Sequence, residues 1–411
     1  MKKVLGITLG IMTALGGFVD LGQIIFTMQA GALFGFHLLW AIVLGTVAII
    51  VYMEMCGRIA VVAKEPVFAV VRTHLGFRVG LLTLIASNAL NVITCAAELG
   101  GIGIILRLLT GWPEKDLIAG GGLVLIAMVL LFRFQWTERT LGLSGLLMIA
   151  FAVAALALHP RWSDVASGLL PTIPDGGSHI RALYAYFAVG IFSALLMEYE
   201  VHFYSSGALE EEWTRKDLGE NFVVAALGSV LGSLLTTALL CLAVELFLPH
   251  RIFPEMLSTA VMTAGVPYGR PVLVPALLGT LACLAGAAVE TALSGGYNLC
   301  QFLNRPWGKN LPAKSVPLFT ASWIGSFGLA GLIVLAGARP QVLVNISVVF
   351  GMAVMPLTYY PILRVASDPK IMGKHVNSKM DTVLGIGLLV LIVGASIASI
   401  PLMIVTHSGQ P

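Results

Sequence analysis

Two acidic stretches lie inside long apolar runs of this 411-residue chain, and both carry side chains that could bind a cation. The first is Gly16-Gly17-Phe18-Val19-Asp20-Leu21-Gly22-Gln23, and the second is Ala194-Leu195-Leu196-Met197-Glu198-Tyr199-Glu200. Carboxylate and amide oxygens suit hard divalent cations such as Mg²⁺, Ca²⁺ or Mn²⁺, whereas the thioether of Met197 favours later transition metals. A charge at the centre of a bilayer costs at least ~3 kcal/mol, so such acids face the bundle interior, a partner or a water-filled cavity. We interpret the two stretches as one ion site.

The spacing within each stretch predicts which side chains share a face. Asp20 and Gln23 are three residues apart and share a face if the helix continues between them. In the second stretch, positions i, i+3 and i+4 are Ala194, Met197 and Glu198. Glu200 projects elsewhere unless the helix unwinds there. The glycines around Asp20 weaken the helix and could free backbone carbonyls for a cation. For Met197, core packing is the alternative interpretation.

Other ionisable residues also fall in apolar runs. Glu98 is either part of a proton or ion pathway or a protonated, hydrogen-bonded acid that fixes helix packing, and for Glu290 we favour the packing role. His202 and Tyr204 follow the second stretch and could line the cytoplasmic exit of the site. The five cysteines show no CxxC spacing, so we expect small buried hydrophobic side chains rather than metal or redox roles.

The composition indicates an all-α polytopic membrane protein, because 58% of the residues are apolar and only 11% are charged. Met1-Lys2-Lys3 precedes an apolar run that is longer than the core of a signal peptide and contains Asp20, so we expect a retained span. The sequence has no nucleotide-binding loop, nucleophile elbow or HExxH motif. We therefore expect neither an enzyme nor a nucleic-acid partner.

Windows of about 20 apolar residues predict eleven spans in a single transmembrane domain. They lie near 4–31, 35–57, 79–109, 117–134, 141–158, 183–209, 222–247, 272–303, 316–337, 340–365 and 382–405. Starting with the N-terminus in the cytoplasm places only seven of the 24 Lys and Arg residues outside, namely Arg107, Lys115, Arg161, Arg181, Arg251, Arg270 and Arg339. This bias predicts a cytoplasmic (inner) membrane protein with its C-terminus outside.

The acidic stretches fall in spans one and six, an offset of five. Many secondary transporters consist of two inverted five-helix repeats, with the substrate site where the first helix of each repeat breaks. An odd offset inverts the second repeat relative to the first. We therefore predict repeat one over about 4–158, repeat two over about 183–365, and an extra helix over about 382–405.

Several segments resemble the NRAMP (natural resistance-associated macrophage protein) divalent-metal transporters. Phe18-Val19-Asp20-Leu21-Gly22-Gln23, followed by Gln29-Ala30-Gly31-Ala32, is similar to the family's first span, whose hallmark is Asp-Pro-Gly-Asn. Ala194-Leu195-Leu196-Met197 resembles the Ala-x-x-Met-Pro-His stretch of span six, and Ala97-Glu98 resembles span three. Ser367-Asp368-Pro369-Lys370-Ile371-Met372-Gly373 resembles the loop before span eleven. The resemblance implies the inverted-repeat, LeuT-like fold, with metal ligands at Asp20, Gln23, Met197 and the carbonyl of Ala194.

The chain also departs from the family pattern. Leu21 and Glu198 replace the family's two helix-breaking prolines, so the sequence leaves open how far each helix unwinds at its break. Tyr199 stands where the family has a histidine and Cys95 where it has an aspartate, and both family residues are tied to proton coupling. Glu200 replaces an asparagine, so the site gains negative charge. The pattern is typical of a divergent member, similar to the NRAMP-related magnesium transporters that lack proton coupling.

We therefore expect a secondary transporter of divalent cations that works by alternating access, with Mn²⁺ or Mg²⁺ favoured and Fe²⁺ as a further candidate. The ligands would be Asp20, Gln23, Met197 and one of Glu198 or Glu200. Its partners would be the metal ions and the lipid bilayer, with no cofactor other than the transported ion. Two alternatives stay open: a non-transporting metal sensor that keeps the fold, and a symporter of small organic solutes.

Overall fold

The computed structural model describes residues 19–132 and 134–411, apart from the side chains of Phe134 and Gln135. Its secondary structure over these residues is entirely helical. The α-helices are α1 Leu21–Phe34, α2 Leu39–Ala63, α3 Val67–Thr110, α4 Glu114–Leu131, α5 Phe134–Gly145, α6 Ile149–Ala157, α7 Trp162–Ser167, α8 Ser178–Ala194, α9 Glu198–Glu210, α10 Leu218–Leu246, α11 Leu257–Met262, α12 Arg270–Phe302, α13 Pro317–Leu335, α14 Pro340–Ala366, α15 Pro369–Met372 and α16 Lys379–Val405. The expectation of an all-helical membrane fold is confirmed at this level.

Within the described ranges, nine helical stretches are long and apolar enough to cross a membrane. One of them, Leu21–Ala63, has 43 residues and would be about 65 Å long as a straight helix, twice the thickness of a bilayer core. It turns at Gly35, whose φ of 60° is left-handed, so it holds the second predicted span and the described part of the first. The predicted fourth span corresponds to α4, whose charged first turn keeps it out of the nine. The number eleven stays a prediction.

Helix α3 begins twelve residues before the predicted third span, which started at residue 79. Its first two turns are separated from the rest at Gly76, where φ is 74° and ψ is 171°. Only glycine adopts this backbone conformation readily, so the chain kinks there. The sequence prediction missed both the early start and the kink, because Arg72, His74 and Arg78 interrupt the apolar pattern in this segment.

The centre of the bundle is formed by α1 and α9. In α1 every residue from Leu21 to Ala32 is buried, and α9 is buried from Glu198 to Ser206. Helix α12 packs along α3, α10 packs against α1 and α2, and α14 packs against α3 and α16. The side chains of α16 are largely exposed and apolar, including Val383, Ile397 and Ile404. This distribution places the polar side chains of α1 and α9 inside the bundle and leaves an apolar periphery suited to lipid.

Close packing of α1 on α8 depends on a glycine. A Cβ placed on Gly190 would overlap the ring of Phe26, which is fully buried between the two helices. The centroid of this ring also lies 5.6 Å from that of Tyr186, in a tilted contact, and 6.0 Å from that of Phe187, in an edge-to-face contact, both in α8. The position of α1 relative to the second acidic stretch is therefore set by a tight aromatic contact.

Candidate metal site

The second acidic stretch lies at a helix break. Helix α8 ends at Ala194 and α9 begins at Glu198, and Met197 between them has an extended backbone with φ −63° and ψ 122°. The break occurs without a proline. Glu198 and Glu200 are in the first turn of α9, where the partial positive charge of a helix N-terminus favours acidic side chains.

The first acidic stretch lies at the start of α1. Asp20 is the N-cap, with φ −72° and ψ 175°, and its Oδ1 accepts a hydrogen bond from the backbone N–H of Gln23 at 2.8 Å. The prediction that Asp20 and Gln23 share a face assumed that the helix continues through both. In the structure Asp20 precedes the helix and folds back over its first turn. Gly16 and Gly17, which we expected to weaken this helix, lie outside the described residues.

The two stretches meet in the middle of the bundle. The Gln23 Nε2 donates to the carbonyl of Ala194 at 3.1 Å. The Tyr199 hydroxyl donates to Asp20 Oδ2 at 3.3 Å. The Thr236 hydroxyl of α10 lies 3.4 Å from Gln23 Oε1. Asp20, Gln23, Ala194 and Tyr199 are thus brought together by the start of α1 and the break between α8 and α9.

The two glutamates of α9 have different surroundings. Glu198 is bonded to two other helices, because its carboxylate accepts from Ser87 Oγ of α3 at 2.8 Å and from Thr358 Oγ1 of α14 at 3.2 Å. The Glu200 carboxyl is buried in the same first turn of α9. The spacing argument assumed a continuous helix, placed Glu198 on the face of Met197 and directed Glu200 elsewhere. The unwound segment before Glu198 removes the basis for that grouping, and the hydrogen bonds of Glu198 direct its carboxylate to α3 and α14.

A third helix contributes Glu98. Its Oε1 accepts from the backbone N–H of Leu21 at 3.1 Å. The second oxygen, Oε2, is buried and has no hydrogen-bond partner among the described residues. Glu98 of α3 is therefore bonded to the residue that follows Asp20. Its role as a pathway residue or as a packing acid stays a prediction.

Met197 is buried at the break, with 5% of its surface exposed. In the part of the chain that the structure describes, no group of three or more His, Cys, Asp or Glu side chains is spaced to hold a metal ion. A metal site here therefore depends on other donor types as well. Such donors are the amide of Gln23 in α1 and, at the break, the carbonyl of Ala194 and the thioether of Met197.

Two expected pathway residues lie away from these contacts. The His202 ring packs edge-on against Phe68, 5.1 Å between centroids, and neither ring nitrogen has a hydrogen-bond partner among the described residues. The Tyr204 hydroxyl donates to Asn221 of α10. Sequence reasoning missed the hydroxyls that hold the break, which belong to Ser87, Thr236, Ser294 and Thr358. Single hydroxyls in apolar helices gave no distinguishing signal.

Comparison of the chain with known proteins identifies a matching family. The family model described as "Natural resistance-associated macrophage protein-like" matches residues 10–401. Two relatives named divalent metal cation transporter MntH are similar over most of their length. The one from Agrobacterium fabrum is 25% identical, covering 87% of this chain and 78% of the relative. The one from Bacillus subtilis is 24% identical, covering 92% and 88%.

Solved structures agree on the fold. A mutant of the Eremococcus coleocola manganese transporter superposes with a TM-score of 0.75 at 19% identity, covering 100% of this chain and 89% of that protein. A nucleobase-cation symporter, Mhp1, gives a TM-score of 0.57 at 15% identity, covering 98% of this chain and 93% of that protein. Identities this low establish the shared architecture and nothing about the cargo.

Proposed function

We propose, for a chain that belongs to the natural resistance-associated macrophage protein (Nramp) family, that it carries divalent metal cations across a membrane by alternating access. The single observation that carries the proposal is the meeting of a fully buried Asp20 with the break between α8 and α9, through the bonds of Gln23 and Tyr199. The names of the relatives, which are divalent metal and manganese transporters, support the same cargo.

The donor set favours a hard cation. Asp20 and Glu200 supply negative charge, Gln23 and the Ala194 carbonyl supply neutral oxygens, and Met197 adds one soft sulfur. Extra carboxylates offset the cost of dehydrating Mg²⁺, while Mn²⁺ accepts both oxygen and thioether ligands. We therefore propose Mn²⁺ or Mg²⁺ as the preferred ion, with Fe²⁺ transported less well.

Metal binding requires a rearrangement within the site. The Gln23 amide N–H and the Ala194 carbonyl bond each other, and Asp20 accepts from Gln23 N and Tyr199. An entering cation would take the carbonyl oxygen and turn the amide so that Gln23 Oε1 faces the ion. The metal thus exchanges existing hydrogen bonds for coordination bonds.

In the membrane we propose eleven spans, arranged as two inverted five-helix repeats plus α16, with the N-terminus in the cytoplasm and the C-terminus outside. In this orientation a cavity of about 650 Å³ opens on the outer side, lined in part by Gln29, Arg107, Glu255 and Arg339. Gln29 is six residues along α1 from Gln23, or about 9 Å. We propose that this cavity is the outer vestibule and that His202 borders the inner route.

Metal flux in proteoliposomes tests the function. Purified protein should give saturable uptake of Mn²⁺ or Mg²⁺, measured in competition with Fe²⁺ and Cd²⁺ while internal pH is recorded. Because Tyr199 rather than an imidazole contacts Asp20, we expect metal entry without matching acidification. The absence of flux for all four ions would refute the proposal, and metal binding without flux would favour a sensor.

Two substitutions at Asp20 separate its charge from its structural role. Asp20→Asn keeps a good helix N-cap but removes the charge, whereas Asp20→Ala removes both and costs about 0.5–2 kcal/mol of helix stability. We expect both variants to abolish flux, and only the alanine variant to unfold at a lower temperature. Undiminished flux in Asp20→Asn would remove Asp20 from the site.

A further inference from the structure

A hydrogen bond joins the first turn of α1 to α3. The backbone N–H of Leu21 donates to Glu98 Oε1 at 3.1 Å, and both residues are at most 1% exposed. The Gln23 N–H donates to Asp20 Oδ1 at 2.8 Å. Two of the N–H groups at the start of α1 that lack a partner within the helix are therefore bonded to carboxyls, one from the N-cap and one from another helix.

We propose that Glu98 is a positioning residue of the metal site: by accepting the Leu21 N–H, it fixes the first turn of α1 to α3 and so sets where Asp20 and Gln23 stand relative to the break between α8 and α9. This inference rests on the proposed function and adds to it a residue that acts through the backbone. The property of Glu98 that matters here is its acceptor oxygen.

The geometry makes this bond costly to lose. A buried amide without a partner is destabilising, and Leu21 has no water-exposed surface through which its N–H could be satisfied. Leu21 is adjacent to Asp20 and two residues from Gln23, so any shift that rescues its N–H also moves both. In the described ranges the Leu21 N–H donates to Glu98 Oε1, and the other carboxyl oxygen, Oε2, has no hydrogen-bond partner.

The chain permits a clean removal of the donor. Leu21 is the first residue of α1, a position that accepts proline because its N–H has no partner within the helix. Asp20 has φ −72° and ψ 175°, which is the conformation that a residue before proline adopts. Leu21→Pro therefore deletes the N–H while keeping the backbone. Leu21→Ala is the matched control, because it also shortens the side chain but keeps the N–H.

The test is a double-mutant cycle on Mn²⁺ transport in proteoliposomes. Glu98→Gln keeps an acceptor oxygen, and Glu98→Leu removes it. Each of these two variants is made in three backgrounds: the unchanged Leu21, Leu21→Ala and Leu21→Pro. With Leu21 or alanine we expect Glu98→Leu to have about a tenfold higher KM than Glu98→Gln, with a smaller change in kcat. With proline the two Glu98 variants should agree within about twofold.

Two results would overturn the proposal. A tenfold difference that persists with proline would mean that Glu98 acts through something other than the Leu21 N–H. Equal impairment of Glu98→Gln and Glu98→Leu in the Leu21 background would mean that the carboxylate charge matters and the acceptor does not.

The midpoint of thermal unfolding, measured on the same variants in metal-free detergent, separates this proposal from the proposed function. A stability difference between Glu98→Gln and Glu98→Leu that vanishes only with proline supports the bond, even if the unmodified chain transports no metal. The same difference in all three backgrounds would refute the bond, whatever the flux.

Discussion

Three buried carboxyls, those of Asp20, Glu98 and Glu200, lie at or beside the candidate site. None of the three is in an ion pair with Lys or Arg in the described ranges. Like charges repel strongly where water is excluded. A divalent cation bound at Asp20, as proposed, would offset the cost of holding charged carboxylates in an apolar bundle.

The glutamates of α9 give a paired prediction. Glu200→Gln should raise the KM for Mn²⁺ about tenfold, because it removes a carboxylate charge that the proposed site uses to attract the cation. Glu198→Gln should change the KM less than about threefold, because a glutamine can still accept from Ser87 and Thr358. Concentration-dependent uptake by both variants measures this. A larger effect at Glu198 than at Glu200 would reverse the assignment.

The thioether gives a prediction about ion choice. Met197→Ala should reduce Cd²⁺ transport far more than Mg²⁺ transport, because sulfur binds soft cations and contributes little to hard ones. Met148→Ala is the control, since Met148 is equally buried but lies in the short turn before α6. It should affect both ions alike. Unchanged Cd²⁺ transport in Met197→Ala would show that Met197 only packs.

At the residue scale, the sequence predicted which residue types lie in the apolar runs, but not which contacts each of them makes. Asp20 and the second stretch were recognisable as acids in apolar runs. The distinction between Glu198 and Glu200 was out of reach, because helical spacing loses its meaning where the helix unwinds. The hydroxyls of Ser87 and Thr358 were equally hidden, since such groups in helices commonly bond their own backbone.

At the scale of elements, the break between α8 and α9 forms although the residue after Met197 is not a proline. The N-terminus of α9 is favoured by the two acids in its first turn, and the end of α8 is held because Gln23 bonds the Ala194 carbonyl. A side-chain amide and helix-end electrostatics here replace the steric effect of proline. The sequence left the depth of this break open, because helix propensity does not include partners from another helix.

The contact between α1 and α8 gives a prediction about stability. Gly190→Val should lower the free energy of unfolding by about 1–3 kcal/mol, because the new side chain overlaps the Phe26 ring. Gly207→Ala in α9 is the control. Apart from the adjacent residues and the nearby backbone of α9 itself, no atom of the described residues lies within 4 Å of the new Cβ, and the change should stabilise the helix by about 0.5–1 kcal/mol. Thermal unfolding of both variants in detergent checks this. Equal stability of the two would contradict the packing argument.

At the scale of the whole molecule, hydrophobic periodicity located the apolar helices well, because bilayer thickness sets a minimum span length. It failed where polar or charged residues interrupt a helix, as near the start of α3. It also failed where charged residues form the first turn of a helix, as at Glu114 of α4. Glycine kinks such as the one at Gly76 were also missed, because the presence of a glycine in the sequence does not show whether its φ is positive. Long-range contacts such as Glu98 to Leu21 carry no local signal.

The proposed orientation can be measured with single cysteines. All five native cysteines are free and buried, so the unmodified chain should react little with a membrane-impermeant maleimide. Asp175→Cys, in the exposed segment before α8, should be labelled from outside intact cells. Lys314→Cys, in the exposed segment before α13, should be labelled only in inverted vesicles. The opposite pattern would invert the topology, and labelling of both from one side would rule out the proposed span count.

The bond between Gln23 and the Ala194 carbonyl has a consequence for the unloaded half of a transport cycle. A carrier that has released its cargo must reorient while empty, and bare polar groups at its centre would make that step slow. Here the amide and the carbonyl satisfy each other, and the Tyr199 hydroxyl covers one oxygen of Asp20. In the proposed alternating-access cycle, these bonds would let the protein reorient without an ion, and the same bonds would limit how tightly an ion is held and so favour its release.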